Sequence, residues 1–255
     1  METAESQRNI DLAAEVLANA STVAVLTGAG VSAESGVPTF RASDGLWEGH
    51  RIEDVASPEG FGRNPGLVWQ FYNARRANVA KVKPNPAHTF LAQLEDLFPK
   101  AFTLVTQNVD GLHQLAGSRN VLELHGSLRR TRCTVCEEVR DQFLDPLAEM
   151  PTCVLCEGLL RPDIVWFGEI LPQEIWLDAV EATISCEVFL VVGTSAVVHP
   201  AAGLIELAQT AGAKVVEANL TPTVASDVAD IGLYGPSGQL LPQVMKRFRE
   251  LKGMA

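Results

Sequence analysis

The chain has 255 residues, a formal net charge of −11, 47% hydrophobic residues and 20% charged residues. This composition excludes a disordered or fibrous chain, and a chain of this length can bury a sizeable core without disulfide bonds. A general nucleic-acid binder needs a basic surface, so the acidic balance argues against nucleic acid as a partner.

Residues 1–11 are polar and lack the order of basic and apolar residues that marks a signal peptide. The longest apolar runs, such as residues 188–192, are far too short to span a membrane. We therefore expect a cytoplasmic protein that does not associate with membranes. The oligomeric state is left open, with a monomer as one option.

Short apolar runs alternate with segments of helical periodicity. In chain order, the pattern predicts a helix at 10–17, a strand at 22–26 and helices at 65–82 and 88–97. It then predicts strands at 103–106, 188–192 and 214–217, with helices at 174–183, 201–211 and 241–251. This alternation predicts an α/β fold with a parallel sheet that is covered on both faces.

Two segments interrupt the alternation. Residues 131–160 have little apolar periodicity, which predicts a small metal-binding module inserted into one α/β domain formed by residues 1–130 and 161–255. The segment at about 35–85 starts rich in Gly, Pro and Ser and continues with helical spacing. It predicts a mobile loop followed by a helical insertion.

The inserted segment contains two C-x-x-C pairs, Cys133 with Cys136 and Cys153 with Cys156, separated by 16 residues. This spacing is typical of a zinc site, and four thiolates leave no open position, so the ion would be structural. A redox pair is the alternative. The fifth cysteine, Cys186, adjoins an apolar run and is interpreted as a core residue.

Small and polar residues follow several predicted strands. Gly28-Ala29-Gly30 follows the first strand and nearly matches the G-x-G-x-x-G pattern of dinucleotide sites. Polar groups follow the others, at 107–110, at 193–195 and at Asn219, where α/β sheets bind ligands. Tight turns and helix caps explain each string equally well on its own.

His125 follows a short apolar stretch and is a candidate general base, because its side chain titrates near neutral pH. A structural histidine is the alternative. The chain has no G-x-S-x-G string, which argues against a serine hydrolase.

Together these strings resemble the sirtuins, the NAD-dependent protein lysine deacylases. The matching strings are residues 28–41, 106–113, 124–126, the four paired cysteines, 161–169, 193–195 and Asn219, in the family's order. They span about residues 26–237 of the chain.

The resemblance implies a Rossmann-like domain, a zinc-ribbon module with one structural zinc ion, and a cleft between them for NAD and an acyl-lysine strand. It implies that His125 is the base and that Val165, Phe167 and Gly168 lie in the segment that pairs with the substrate backbone. The residues that it assigns to NAD are Gly28, Ala29, Gly30, Glu34, Phe40, Arg41, Trp47, Gln107, Asn108, Asp110, Gly193, Thr194, Ser195, Asn219, Leu220, Thr221 and Ser237.

Tyr72 and Arg75 lie three residues apart in a predicted helix and therefore share one face. A phenol and a guanidinium on one face can bind a carboxylate. The pair resembles the signature of the desuccinylating sirtuin branch, which also keeps a small residue at the position of Ala56. A surface arginine beside a half-buried tyrosine is the alternative.

The implied reaction removes succinyl, malonyl or acetyl groups from protein lysines, consumes NAD, and releases nicotinamide and 2′-O-acyl-ADP-ribose. Two other functions are left open: mono-ADP-ribosyl transfer from the same NAD site, and a zinc-ribbon scaffold without enzymatic activity. The acidic balance and the intact string around His125 argue against the scaffold.

Overall fold

The computed structural model describes residues 4–39, 46–47 and 49–254. The strands in chain order are β1 (Val23–Thr27), β2 (Leu46–Trp47), β3 (His50–Arg51), β4 (Phe102–Thr106), β5 (Val121–Glu123), β6 (Gly126–Cys133), β7 (Val139–Asp141), β8 (Leu160–Ile164), β9 (Val188–Val192), β10 (Lys214–Asn219) and β11 (Ile231–Tyr234).

The helices in chain order are α1 (Ala4–Asn19), α2 (Gly30–Ala33), α3 (Ile52–Val55), α4 (Pro58–Arg63), α5 (Pro65–Val79), α6 (Pro86–Leu97), α7 (Leu112–Leu115), α8 (Gln173–Ser185), α9 (Gly203–Thr210) and α10 (Ser237–Leu251), with a 3₁₀ helix at Val224–Asp227. Within the described ranges, no helix is both long and apolar enough to cross a bilayer.

A parallel sheet of six strands, in the order β11-β10-β9-β1-β4-β5, forms the centre of the protein. Every residue of β1 and of β9 is buried. Strands that are apolar on both faces are typical of parallel sheets covered by helices on each side. The predicted α/β fold is therefore confirmed.

Successive residues of each strand point to opposite faces of the sheet and enter two separate cores. Val23 and Val25 of β1 pack in the core that includes α1, α6 and α10. Ala24 and Leu26 pack in the core that includes α8 and α9. Each fully buried large aliphatic side chain contributes about 1.5–3 kcal/mol of transfer free energy, so both faces stabilise the sheet.

Helices α3, α4 and α5 lie in the segment that was predicted as a helical insertion, and we call them by that name. Helices α4 and α5 begin at side-chain caps. Ser57 Oγ accepts from the Gly60 amide and Asn64 Oδ1 accepts from the Leu67 amide, so each satisfies a free N–H at a helix start. Trp69 on α5 donates from Nε1 to the carbonyl of Leu160 at 2.8 Å. This bond joins the insertion to β8.

The second sheet is antiparallel, with β6 between β7 and β8. Its strands extend beyond residues 131–160, because β6 starts at Gly126 and β8 ends at Ile164. Those two residues are register partners. The antiparallel sheet therefore reaches the residues next to His125 and Val165.

Two short strands of the parallel sheet, β5 and β11, were not among the predicted elements, because runs of three and four residues give no readable periodicity. Helix α10 begins at Ser237, four residues before the predicted start. Pro242 lies inside this helix. Proline is tolerated in the first turn of a helix and disfavoured in the interior, so the sequence favours a helix that begins next to Pro242.

Candidate active site

Four neighbouring strands of the parallel sheet end at one edge. Thr27, the last residue of β1, pairs with Thr106 at the end of β4 and with Val192 at the end of β9. Strand β10 continues to Asn219. The turns that follow these strands carry most of the predicted NAD residues, at the edge where parallel sheets bind ligands.

The turn after β1 packs directly on the turn after β9. The Gly30 amide donates to the Gly193 carbonyl at 2.7 Å, and a Cβ on Gly30 would lie 2.6 Å from that oxygen. A Cβ on Gly28 would lie 2.7 Å from the Cβ of Thr194. Both glycines are therefore required by the contact between the two turns.

A cleft of about 460 Å³ opens at this edge, and the helical insertion and the antiparallel sheet form its other walls. The predicted site residues that line it are Gly28, Ala29, Gly30, Trp47, Ala56, Tyr72, Arg75, Gln107, Asn108, Asp110, His125, Val165, Phe167, Gly168, Gly193, Thr194, Ser195, Asn219, Leu220 and Thr221.

Four predicted residues are not among the cleft's lining residues. Glu34 accepts a hydrogen bond from the Gly238 amide at 2.8 Å, at the start of α10. Ser237, beside it, is buried. Phe40 and Arg41 lie outside the described residues.

Thr194 connects polar side chains from two strand ends. Its Oγ1 accepts from Gln107 Nε2 at 3.0 Å, and its carbonyl accepts from Asn219 Nδ2 at 2.7 Å. Gln107 Nε2 also donates to the Thr27 carbonyl at 3.4 Å, and Asn219 Oδ1 accepts from the Leu220 amide at 2.9 Å. An amide side chain can form four hydrogen bonds, so both retain capacity for a ligand.

Asp110 is held at the base of the cleft by bonds to its own loop and to α2. Its carboxylate accepts from the Leu112 amide at 2.9 Å and from Ser32 Oγ at 2.8 Å. Asn108 Nδ2 donates to the same Ser32 oxygen at 3.2 Å. Burial raises the pKa of Asp110, and these hydrogen bonds oppose that shift.

Two buried histidines lie behind this network and received no role from the sequence. The rings of His88 and His113 lie 4.9 Å apart, and His113 Nε2 lies 3.0 Å from Thr27 Oγ1. His88 Nε2 lies 3.3 Å from Ser32 Oγ. Burial lowers the pKa of His88 to about 4 and that of His113 to about 3, so both rings are neutral. The only sequence signals for them were their positions: His113 ends the string at 106–113, and His88 starts a predicted helix.

His125 is oriented by a backbone carbonyl. Its Nδ1 lies 3.0 Å from the carbonyl oxygen of Gln107. Because that oxygen can only accept, Nδ1 carries the proton, and Nε2 of the neutral ring keeps a free lone pair. Burial lowers the pKa of His125. The ring is therefore neutral at pH 7 and can take up a proton at Nε2.

Tyr72 and Arg75 form the end of the cleft that lies within the helical insertion. Both are buried and both line the cleft. The Arg75 guanidinium carbon lies 4.2 Å from the centre of the Trp47 ring, within range of a cation–π interaction. Ala56, also buried, lines the same cleft without filling it. The surface-arginine interpretation is therefore wrong, since Arg75 is only 8% exposed.

The segment after β8 forms another wall. The Val165 amide donates to the carbonyl of His125, and the Phe167 amide donates to the carbonyl of Ala56, both at 3.0 Å. These bonds fix the segment against His125 on one side and the helical insertion on the other.

The four paired cysteines come together at two turns of the antiparallel sheet. Their sulfur atoms all lie within 4.8 Å of one another, and the Sγ–Sγ distance from Cys133 to Cys156 is 3.5 Å. A tetrahedral zinc site with Zn–S bonds of about 2.3 Å has sulfur atoms about 3.8 Å apart. None of the five cysteines is in a disulfide. The set fits one structural zinc ion, as predicted, while buried Cys186 is a core residue.

Comparison with known proteins gives matches along nearly the whole chain. Residues 28–200 match the Sir2 family. The "NAD-dependent protein deacylase 2" of Pyrobaculum aerophilum is 49% identical over 238 residues, which cover 92% of this chain and 94% of that protein.

Solved structures give the same result. A Sir2 homologue in complex with NAD has a TM-score of 0.87 at 42% identity, and the match covers 93% of each chain. A Sir2 protein bound to an acetylated peptide has a TM-score of 0.80 at 31% identity, covering 94% of this chain and 97% of that one.

Proposed function

This chain belongs to the Sir2 family and is an NAD-dependent protein deacylase, and we propose that its acyl pocket favours lysine acyl groups that end in a carboxylate, succinyl and malonyl above acetyl. The buried pair Tyr72 and Arg75 carries this proposal. Its substrates would be acylated proteins, and paired cysteines that form a metal-binding cluster suit a cytoplasmic enzyme better than a disulfide framework would.

The edge of the sheet suits NAD in both size and chemistry. A volume of about 460 Å³ lies within the range of small-molecule sites. The amide side chains of Gln107, Asn108 and Asn219 and the hydroxyl groups of Thr194 and Ser195 match the sugar hydroxyls and amide of a dinucleotide. NAD is consumed as a cosubstrate: the acyl carbonyl oxygen bonds to the ribose carbon C1′, which releases nicotinamide, and the ADP-ribosyl group then accepts the acyl group.

His125 acts as the general base in this proposal. Its Nε2 takes the proton from a ribose hydroxyl group, which makes that oxygen nucleophilic toward the acyl carbon, while the Gln107 carbonyl stabilises the protonated ring through Nδ1. Water completes the reaction, so that acyl-lysine, NAD and water give lysine, nicotinamide and O-acyl-ADP-ribose.

A carboxylate at the end of the acyl chain would meet a buried positive charge. The Arg75 charge acts to lower the pKa of Tyr72 and of Asp110, which places both groups within its electrostatic reach. In a site shielded from water, such a charge favours an anionic acyl group over an apolar one. An acetyl group carries no charge and cannot form this electrostatic interaction with Arg75.

The substitution Arg75→Met tests the proposal. We expect kcat/KM on succinyl-lysine peptide to fall at least about 30-fold more than kcat/KM on acetyl-lysine peptide, equivalent to about 2 kcal/mol of a charge-assisted hydrogen bond. Rates of nicotinamide release with NAD and each peptide measure both values.

Arg63→Met on α4 is the matched control, because Arg63 is exposed and pairs with Asp54. It should leave the ratio of the two rates unchanged. Equal losses on both peptides in Arg75→Met would refute carboxylate selection. Mass spectrometry of the products distinguishes O-acyl-ADP-ribose from an ADP-ribosylated protein, the product of the alternative transferase.

A further inference from the structure

A second aromatic side chain contacts the phenol of the acyl pocket. Trp166, in the segment after β8, donates from Nε1 to the hydroxyl oxygen of Tyr72 at 2.9 Å. Both side chains are buried, with Trp166 3% and Tyr72 0% exposed. The bond joins two walls of the cleft, the helical insertion and the wall that follows β8.

The direction of this hydrogen bond determines what the Tyr72 hydroxyl can do next. An indole N–H is a donor only, so the tyrosine oxygen is the acceptor. The hydroxyl proton of Tyr72 must therefore point away from Trp166. Burial raises the pKa of Tyr72 to about 12, so the phenol keeps that proton throughout the working pH range.

Trp166 is itself held firmly by its neighbours. The guanidinium carbon of Arg161 lies 3.6 Å from the centre of the indole ring. Arg161 in turn makes two bonds of 2.6 and 2.8 Å to the carboxylate of Glu169. That carboxylate also accepts from the Trp166 amide at 2.8 Å. The indole N–H thus has a defined direction.

We propose that Trp166 is a positioning residue for acyl specificity: by donating to Tyr72, it makes the Tyr72 hydroxyl a donor toward the acyl carboxylate beside Arg75. This inference rests on the proposed preference for acyl groups that end in a carboxylate. Without the indole N–H, the hydroxyl is free to rotate, and part of its binding to the carboxylate is lost.

The first experiment compares Trp166→Phe with the unchanged protein. We expect the ratio of kcat/KM on succinyl-lysine peptide to that on acetyl-lysine peptide to fall about five- to tenfold. The specific loss should come mainly from a higher KM for the succinyl peptide, because the hydroxyl acts in binding. A common loss on both peptides, from the smaller ring, cancels in the ratio.

The second experiment separates positioning from packing. In a Tyr72→Phe background, Trp166→Phe should leave the succinyl-to-acetyl ratio unchanged, since its effect passes through the missing hydroxyl. The same five- to tenfold fall in that background would overturn the inference. Trp176→Phe, which alters a half-buried tryptophan on α8, is the control and should leave the ratio unchanged.

A replacement of the same shape covers the case in which Trp166→Phe does not fold. Incorporation of 3-benzothienylalanine at position 166 replaces only the N–H group by sulfur and should give the same fall in the ratio. An unchanged ratio in this variant, with Arg75→Met still lowering it, would refute the role of Trp166 alone. An unchanged ratio in Arg75→Met would refute the proposed acyl preference itself.

Discussion

At the scale of single residues, the buried histidine pair makes the stability of the folded protein depend on pH. His88 and His113 are neutral in the folded protein because burial lowers the pKa of each, to about 4 and about 3. In the unfolded chain both titrate near pH 6.5. Between these values the unfolded chain binds more protons than the folded protein, so folding stability falls as pH falls.

We expect the contribution of these two histidines to the free energy of unfolding to be constant above about pH 7 and to decrease below about pH 6.5, by up to about 1.4 kcal/mol per pH unit for each histidine. His113→Asn should reduce this slope by the share of one histidine. Urea unfolding followed by circular dichroism between pH 7 and pH 5 measures it. His199→Asn, at an exposed site, is the control and should leave the slope of unfolding free energy against pH unchanged. The same unchanged slope in His113→Asn would contradict the contribution assigned to buried His113.

At the scale of elements, the segment after β10 depends on one buried carboxylate. Glu217 is fully buried and accepts from the hydroxyl groups of Thr223 and Ser226, each at 2.5 Å, and from that of Tyr234 at 3.1 Å. Thr223 caps the 3₁₀ helix and lines the cleft. Glu217 therefore anchors the segment that carries Leu220 without reaching the cleft itself.

Substitution Glu217→Gln should raise the KM for NAD about three- to tenfold, because the amide offers one acceptor oxygen in place of two and the segment loosens. The KM for acyl peptide should change less. Steady-state kinetics with each substrate varied in turn measures both. Tyr234→Phe removes the 3.1 Å bond to Glu217 and a 3.0 Å contact with Ser226 Oγ. It leaves the two short bonds to Glu217 in place and should have a smaller effect. An unchanged KM for NAD in a folded Glu217→Gln protein would disprove the anchoring role.

At the scale of the whole molecule, one arginine joins the two sheets. Arg130 on β6 pairs with Glu123 of β5 at 2.6 Å and with Asp163 of β8 at 2.9 Å. Both carboxylates are largely buried. Glu123 lies two residues before His125, and Asp163 lies two residues before Val165. Arg130 therefore fixes His125 relative to the segment that follows β8.

We expect Arg130→Met to lower the free energy of unfolding by about 2 kcal/mol, because it removes the shared partner of two buried carboxylates. The loss is limited because Asp163 keeps its pair with Arg132 and Glu123 keeps its bond from Gln114. Arg140→Met is the control, since the Arg140–Glu138 pair lies at β7 of the same sheet but keeps about 40% of each side chain exposed, and it should cost less than about 1 kcal/mol. Urea unfolding at pH 7 measures both. Equal effects of the two substitutions would contradict the coupling of the sheets through Arg130.

Several parts of the site could be predicted from the sequence because they depend on local spacing. Two C-x-x-C pairs bring four sulfur atoms together once two turns approach each other. Long apolar runs form buried strands, and strand ends in a parallel sheet meet at one edge. The hydrogen bond from Trp166 to Tyr72 joins residues 94 positions apart, and no local pattern encodes such a contact.

The sequence by itself determined the parallel α/β fold, the cysteine cluster and the edge at which the cleft opens, because hydrophobic periodicity and short motifs act over a few residues. Only the tertiary structure decided the proton position on His125, the neutral state of the buried histidines, the direction of the Tyr72 hydroxyl and the arginine link between the sheets. Each of these depends on burial and on a partner distant in the chain. Hydrogen-bond direction and desolvation arise only when the chain has folded.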